Sequence, residues 1–214
     1  MTTAVVFDYG FGNVRSMVRA LARLGVDTSL TSDYRQALEV DGLVVPGVGA
    51  FAACMEGLKK VGGDRVIADR LRAGRAVLGV CVGEQVLFEL GHEHGEETRG
   101  VGLIGGSVDP LDADVVPHMG WDTVEAAEGS ALLKGVEDER FYFVHSYAAL
   151  DAKAKDLGEF QIELPDEQRV TWCTYGRSRF VAAYERGPLF ATQFHPEKSG
   201  DAGAQLLENW IATF

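Results

Sequence analysis

Apolar positions in the first half of the chain alternate between short continuous runs and helical spacing. Ala4–Phe7 forms one such run, and Val14, Met17, Val18 and Leu21 follow at the i, i+3, i+4, i+7 spacing of a helix. The same pattern predicts strands at Val26–Leu30, Gly42–Val45 and Ala76–Val80, and helices at Phe51–Lys60, Asp64–Leu71 and from Gln85 to Leu90 onward. Alternating helices and apolar strands predict an α/β fold with a mostly parallel open sheet and helices on both faces.

The second half has a different pattern, with strand-like segments separated by turn residues. These segments are Trp121–Val124, Arg140–Val144, Val170–Thr174, Phe180–Tyr184 and Leu189–Thr192. They predict antiparallel strands added to the sheet, or a small second sheet. An amphipathic helix, Ala204–Phe214, follows them. Because there is no internal repeat and no low-complexity linker, we expect a single domain over residues 1–214.

Composition and charge exclude several classes of protein. Hydrophobic residues make up 46% of the 214 residues and charged residues 24%, which is typical of a globular domain. The 32 acidic and 20 basic residues give a net charge of −12, which argues against binding to nucleic acids or anionic membranes. No apolar run reaches the ~18 residues of a membrane span, and the N-terminus has no basic leader.

Cysteine usage indicates a reducing compartment. The chain has an odd number of cysteines, Cys54, Cys81 and Cys173, and no two of them form a C-x-x-C motif. A disulfide framework or a structural zinc site is therefore not expected, and we predict a cytoplasmic protein without a metal site.

One cysteine lies where a buried strand meets a predicted helix, in Gly79-Val80-Cys81-Val82-Gly83-Glu84-Gln85. This spacing is the thiol version of a nucleophile elbow, in which a sharp turn projects the nucleophile and glycines allow the backbone to approach closely. The helix N-terminus favours a thiolate, and the Val82 N–H is placed to bind an oxyanion. On this stretch alone, a buried inert cysteine stays an equal alternative.

A thiol nucleophile needs a base and a group that orients the base. His195 follows an apolar strand in Gln193–Ser199, and Glu197 is close enough in sequence to orient its ring. Taken alone, His195 is equally compatible with a surface turn. His92 and His94 lie in an acidic stretch that we interpret as a solvated loop, because its spacing fits no strong metal site.

Two further glycine-rich segments follow predicted strands. Pro46–Phe51 can present backbone N–H groups to a substrate oxygen, but it lacks the Lys-Ser/Thr ending of a P-loop. Asp8–Asn13 is interpreted as a turn and helix cap, because it does not match the dinucleotide-binding fingerprint.

Taken together, these motifs resemble the triad (class I) glutamine amidotransferases, and most closely the glutaminase subunits of imidazole glycerol phosphate synthase. The resemblance spans nearly the whole chain, in family order. It rests on Asp8–Asn13 with Ser16, Pro46–Phe51, Gly79–Gln85, Pro117–Trp121, Tyr142–Tyr147 and Gln193–Ser199. It implies a flavodoxin-like α/β fold.

The resemblance also implies a role for each matching residue. Cys81 is expected to be the nucleophile, His195 the general base and acid, and Glu197 the orienting group. Val48, Gly49 and Val82 are expected to form the oxyanion hole; Gln85, His145, Ser146 and Tyr147 to bind glutamine; and Asn13, Trp121, Tyr142 and Lys198 to lie at a partner interface. Family members often carry Met where this chain has Glu84, whose carboxylate we expect to face away from the thiol because it would oppose thiolate formation.

The activity that the resemblance implies is hydrolysis of L-glutamine to L-glutamate and ammonia, without a cofactor. The ammonia is expected to pass to a (β/α)8-barrel cyclase subunit in a heterodimer that serves L-histidine biosynthesis. A barrel needs about 250 residues, so the cyclase must be another chain. Two alternatives stay open: another triad amidotransferase or γ-glutamyl hydrolase, and a non-catalytic regulatory subunit.

Overall fold

The structure, a computed structural model, describes residues 1–214 and contains fourteen strands and six α-helices. The strands are β1 (Thr3–Phe7), β2 (Asp27–Thr31), β3 (Gly42–Gly47), β4 (Ala76–Cys81), β5 (Phe88–Glu93), β6 (Glu96–Arg99), β7 (Ile104–Pro110), β8 (His118–Thr123), β9 (Arg140–His145), β10 (Tyr147–Ala149), β11 (Lys153–Ala154), β12 (Arg169–Tyr175), β13 (Ser178–Arg186) and β14 (Leu189–Thr192). The helices are α1 (Val14–Arg23), α2 (Tyr34–Glu39), α3 (Phe51–Lys60), α4 (Gly63–Arg72), α5 (Val82–Gln85) and α6 (Gly200–Ile211).

The main sheet has seven strands in the order β12-β13-β14-β4-β3-β1-β2. The five strands from β14 to β2 are parallel, and every residue of β3 and β4 is buried, which explains their continuous apolar sequences. β12 and β13 extend the sheet in antiparallel orientation. The predicted α/β fold, mostly parallel with antiparallel strands in the second half, is confirmed.

Two smaller groups of strands complete the fold. β8 and β9 form an antiparallel ribbon in which His118 lies opposite His145 and Trp121 opposite Tyr142. β10, β7, β5 and β6 form a second sheet, and β11 pairs with β7. No helix in the structure is both long and apolar enough to cross a membrane.

The helix predicted from Gln85 to Leu90 onward is wrong. Helix α5 is a single turn that ends at Gln85, and the chain enters strand β5 three residues later. Backbone N–H groups of Val101 and Leu103 donate to the carbonyls of Val86 and Leu87. These carbonyls therefore bond to a distant segment and not to the N–H groups of a following helical turn. The apolar run Val86–Phe88 is buried by this pairing rather than by a helix face.

The interpretation of His92 and His94 as a solvated loop is also wrong in part. His92 lies in β5, with Nδ1 2.7 Å from an Asp109 carboxylate oxygen, and His94 and Gly95 form the tight turn into β6. Both turn residues have positive φ, as the turn of such a hairpin requires. No group of three or more His, Cys, Asp or Glu side chains converges as metal ligands do.

Candidate active site

The central feature of the site is the elbow, Gly79–Gln85, at the carboxyl end of β4. Cys81 adopts φ 58° and ψ −118°, which is rare for a residue with a side chain and projects the thiol from the sheet edge. A Cβ on Gly83 would lie 1.9 Å from the Val45 carbonyl oxygen, and one on Gly79 would lie 2.6 Å from the Gly83 carbonyl oxygen. Both glycines are therefore required by close backbone approach, as the sequence predicts.

His195 and Glu197 lie beside the elbow, after strand β14. His195 Nδ1 is 2.8 Å from Glu197 Oε1, and both side chains are only 2% exposed. Asn13 Nδ2 donates to the same carboxylate oxygen at 3.2 Å. Because Glu197 accepts from Nδ1–H, the other ring nitrogen of His195 is free to exchange a proton, and this nitrogen is buried without an oxygen or nitrogen partner.

The Cys81 thiol interacts with that ring. Burial disfavours the imidazolium, but hydrogen bonds and charge interactions with Cys81 and Glu197 outweigh burial and raise the pKa of His195 to about 10. The structure thus brings together a thiol, an imidazole and an orienting carboxylate. This set can perform nucleophilic attack with acid–base assistance.

A cavity of about 240 Å³ opens over Cys81. It is lined by Val48, Gly49, Cys81, Val82, Gln85, Glu93, Val144, His145, Ser146, Tyr147, His195 and Lys198. Every residue expected in the oxyanion hole or at bound glutamine is therefore brought to one place. Of the expected interface residues, only Lys198 lines the cavity.

A hydrogen bond from helix α3 fixes the orientation of the Val48–Gly49 peptide. The Cys54 thiol of α3 donates to the Val48 carbonyl oxygen at 3.4 Å. In a planar trans peptide the following N–H points the opposite way, so the Gly49 N–H points away from Cys54. The N–H groups of Val48 and Gly49 donate to no backbone acceptor. They are available donors at the cavity wall.

A hydrogen-bond network fixes the amide of Gln85. Its Nε2 donates to the Tyr147 carbonyl oxygen at 2.9 Å and to Gln193 Oε1 at 2.8 Å. The Tyr147 oxygen also accepts from His145 Nδ1 at 2.9 Å, and His118 Nδ1 lies 3.0 Å from His145 Nε2. Burial lowers the pKa of His145 to about 3, so its ring is neutral and acts as a spacer of fixed orientation.

Sequence reasoning missed Glu93 and Gln193. Glu93 lines the cavity at the end of β5, and one of its oxygens accepts from the Phe51 N–H at 2.6 Å. The incorrect interpretation of this segment as a loop concealed it. Gln193 is fully buried and lies two positions before His195. Its position in the same motif as His195 is the sequence signal that could have identified it as a site residue.

The remaining interface candidates share one surface near the cavity mouth. Trp121 is 52% exposed, and its ring centroid lies 6.0 Å from that of Tyr142. Lys198 Nζ lies 5.8 Å from the Tyr142 ring centroid. Asn13, in contrast, makes a direct hydrogen bond to Glu197 and so belongs to the site itself as well as to its edge.

Glu84 is buried completely within the elbow. Neither of its carboxylate oxygens has a hydrogen-bond partner. Burial, with a smaller contribution from the charge of Cys81, raises the pKa of Glu84 well above its ordinary value. The surroundings therefore favour the neutral, protonated form of this carboxyl group over the charged form.

Comparisons with known proteins show the family of this chain. The family model for class-I glutamine amidotransferases matches residues 5–213. The chain is 78% identical over its full length, and that of the relative, to the imidazole glycerol phosphate synthase subunit HisH of Bifidobacterium longum. It is 60% identical to the subunit of that name from Streptomyces avermitilis, over 98% of this chain and 95% of the other. The chain belongs to the class-I glutamine amidotransferase family.

Solved structures share the fold. A structure from Thermoplasma acidophilum, described as that of a GMP synthase subunit, matches with a TM-score of 0.68 at 22% identity, over all of this chain and 94% of that one. A structure described as a glutamine amidotransferase matches with a TM-score of 0.67 at 18% identity, over 98% of this chain and 97% of that one.

Proposed function

We propose that this chain is the glutaminase subunit of an imidazole glycerol phosphate synthase, which hydrolyses L-glutamine and supplies ammonia for L-histidine biosynthesis. The observation that carries the proposal is that Cys81 and His195 line one cavity and that Glu197 is hydrogen-bonded to His195. Full-length identity of 78% to a subunit with that role in its name supports the choice of pathway.

In the first half of the reaction, the Cys81 thiolate attacks the side-chain amide carbon of glutamine. The electron pair of the C=O bond moves to oxygen, and the oxyanion takes hydrogen bonds from Gly49 and Val82 N–H. His195 then gives the proton on Nε2 to the amide nitrogen. The C–N bond breaks, ammonia leaves, and a γ-glutamyl thioester stays on Cys81.

Water completes the reaction. His195, now neutral, takes a proton from a water molecule that attacks the thioester carbon, and collapse of the second oxyanion breaks the C–S bond. Glutamate leaves, and the thiolate and imidazolium are restored. Glu197 stabilises the imidazolium at the start and end of the cycle, which agrees with the raised pKa of His195.

Acceptors in the cavity suit the α-ammonium group of glutamine. Both N–H groups of the Gln85 amide are used within the chain, so only its Oε1 is left to face a ligand. Glu93 presents a second oxygen from the same wall, since its other oxygen caps α3. We infer that these two residues, with His145, Ser146 and Tyr147, bind the amino-acid end of glutamine.

The proposed partner is a (β/α)8-barrel cyclase that forms a heterodimer with this chain. An exposed apolar side chain, Trp121, next to Tyr142 and Lys198 at the cavity mouth is the kind of surface that a partner covers. A sealed interface keeps ammonia from being protonated in bulk water. Three unpaired cysteines fit the proposed cytoplasmic location.

Glutamate release tests this proposal. The rate is measured for the chain alone, with a cyclase subunit, and with that subunit plus its nucleotide ligand. We expect a low rate that rises only in the third mixture, and no rate for Cys81→Ala, which should still bind the cyclase. Cys173→Ala is the matched control, because Cys173 is a buried cysteine that does not line the cavity. High activity of the chain alone would contradict the coupling.

A further inference from the structure

The sheet register places Gln193 directly beside the nucleophile. In the parallel pair β14–β4, Thr192 lies opposite Val80, so the next residues, Gln193 and Cys81, leave their strands side by side. Gln193 Nε2 is 3.8 Å from Cys81 Sγ, within hydrogen-bond range for sulfur. The Gln193 backbone N–H donates to the Ala182 carbonyl at 2.9 Å, which ties this position to β13.

The orientation of the Gln193 amide follows from its neighbours. The Tyr147 carbonyl can only accept, so the nitrogen of the Gln85 amide must face it. The same nitrogen then donates to Gln193, which must present its oxygen to Gln85. If the Gln193 amide were rotated by half a turn, its NH₂ group would face the NH₂ group of Gln85, and two donors would meet without an acceptor. The NH₂ group of Gln193 is therefore directed at the sulfur.

We propose that Gln193 is a positioning residue that orients Cys81 and stabilises its thiolate through an N–H···S hydrogen bond. This inference rests on the proposed function and extends it. Hydrogen bonds to an ionised group favour the ionised form, and a buried thiolate has little water to provide them. Helix α5 is a single turn, so its dipole is a weak substitute for this donor.

The same hydrogen-bond network connects Cys81 to the wall of the cavity that is proposed to bind glutamine. The chain of contacts runs from His118 through His145 to the Tyr147 carbonyl, and from there through Gln85 to Gln193. The same amide that presents Gln85 Oε1 to a ligand thus sets the donor to the nucleophile. Gln193 couples the thiol to the wall that binds substrate.

The pH dependence of Cys81 alkylation by iodoacetamide, followed by mass spectrometry, tests this role. We compare the unmodified chain with Gln193→Met, which keeps the volume and removes the donor. The titratable groups whose pKa values depend on the charge of Cys81 are the same in this variant; they are His195, Glu84, Tyr9 and Cys54. The expected result is an alkylation midpoint raised by about one pH unit, with kcat for glutamine reduced more than KM.

Thr192→Val is the matched control. Thr192 is also fully buried, and its hydroxyl donates to the Phe194 carbonyl at 3.0 Å, so the variant loses a hydrogen bond of the same segment without touching the sulfur. Its midpoint should stay unchanged. A folded Gln193→Met chain with an unchanged midpoint overturns the inference. Failure of the unmodified chain to hydrolyse glutamine, with the midpoint shift still present, contradicts the proposed function instead.

A second measurement needs no substitution at Gln193 and covers the case in which that variant does not fold. The side-chain NH₂ signals of Gln193 are followed by NMR as the pH is changed. They are expected to shift with the same midpoint as Cys81 alkylation and to lose this shift in Cys81→Ala. Signals that do not respond to ionisation of the thiol overturn the inference.

Discussion

Two buried carboxylates lie near the Cys81 thiol, one in the segment after β14 and one in the elbow. Glu197 accepts hydrogen bonds from His195 and Asn13, and its charge helps to raise the pKa of His195. Glu84 has no partner for either oxygen. The comparison teaches that burial alone does not give a carboxyl group a catalytic role. Its partners decide whether it stays charged and which group it acts on.

Among the variants that test this comparison of Glu197 with Glu84, Glu197→Gln is expected to have the largest effect. The amide keeps the shape but loses the charge that favours the imidazolium, so the glutaminase rate should fall by about 10²- to 10⁴-fold. The pKa of His195 should also fall from about 10, since one of the groups that raise it is lost. Because the leaving nitrogen needs a proton from His195, the alkaline limb of the pH–rate profile should move to lower pH. A profile with an unchanged rate and limb would show that Glu197 does not orient the base.

Glu84→Met is expected to affect stability rather than catalysis. Removing two unpartnered buried oxygens should stabilise the fold by about 1–3 kcal/mol at neutral pH, as measured by denaturant unfolding. The glutaminase rate should stay within about threefold, since burial favours the neutral form of Glu84 and Met is neutral as well.

The pH dependence of that gain has a definite sign. Below the ordinary pKa of glutamate, about 4.3, the carboxyl is protonated in both the folded and the unfolded chain. As the pH rises above this value, the unfolded chain releases the proton while the folded chain retains it, because the folded-state pKa is raised. The advantage of Glu84→Met should therefore grow with pH. Glu84→Gln, which cannot ionise, should show the same pH dependence, and a constant difference would contradict a raised pKa.

A smaller effect is expected for Asn13→Ala. This variant removes one donor to Glu197 and leaves the His195 contact in place. A hydrogen bond of this kind contributes about 1 kcal/mol, so kcat of the isolated chain should fall by about fivefold with little change in KM. Asn209→Ala is the matched control, because Asn209 donates to the Leu132 and Lys134 carbonyls and does not contact the triad. Equal effects of the two variants would contradict a role for Asn13 at Glu197.

Local sequence predicted the parts of the fold that depend on local or continuous patterns. The fully buried strands β3 and β4 and the glycines of the elbow are examples, because one short segment contains the whole signal. Strand β5 was not predictable in this way, because its apolar start at Phe88 pairs with Ile104 in β7, and only its later residues pair with the neighbouring strand β6. Helix α2 was missed although Asp33 caps it, because only one of its six residues is buried.

The residues of the site also differ in whether local sequence is enough to predict them. Cys81, His195 and Glu197 stand in two short motifs, so residue types and spacing were enough to nominate them. The amide network joins Gln85, Tyr147 and Gln193 from three separate segments, and its hydrogen bonds exist only after the chain folds. The pKa of Glu84 likewise depends on surroundings that no single segment contains.

The central claim is that Cys81 carries a γ-glutamyl thioester during turnover, and trapping that intermediate tests it most directly. The chain, mixed with glutamine, cyclase and nucleotide ligand, is quenched in acid within one turnover and analysed by peptide mass spectrometry. We predict a γ-glutamyl group on the peptide that contains Cys81 and none in Glu197→Gln at the same time point. An adduct on Cys54 or Cys173, or glutamate release without any thioester, would contradict the account.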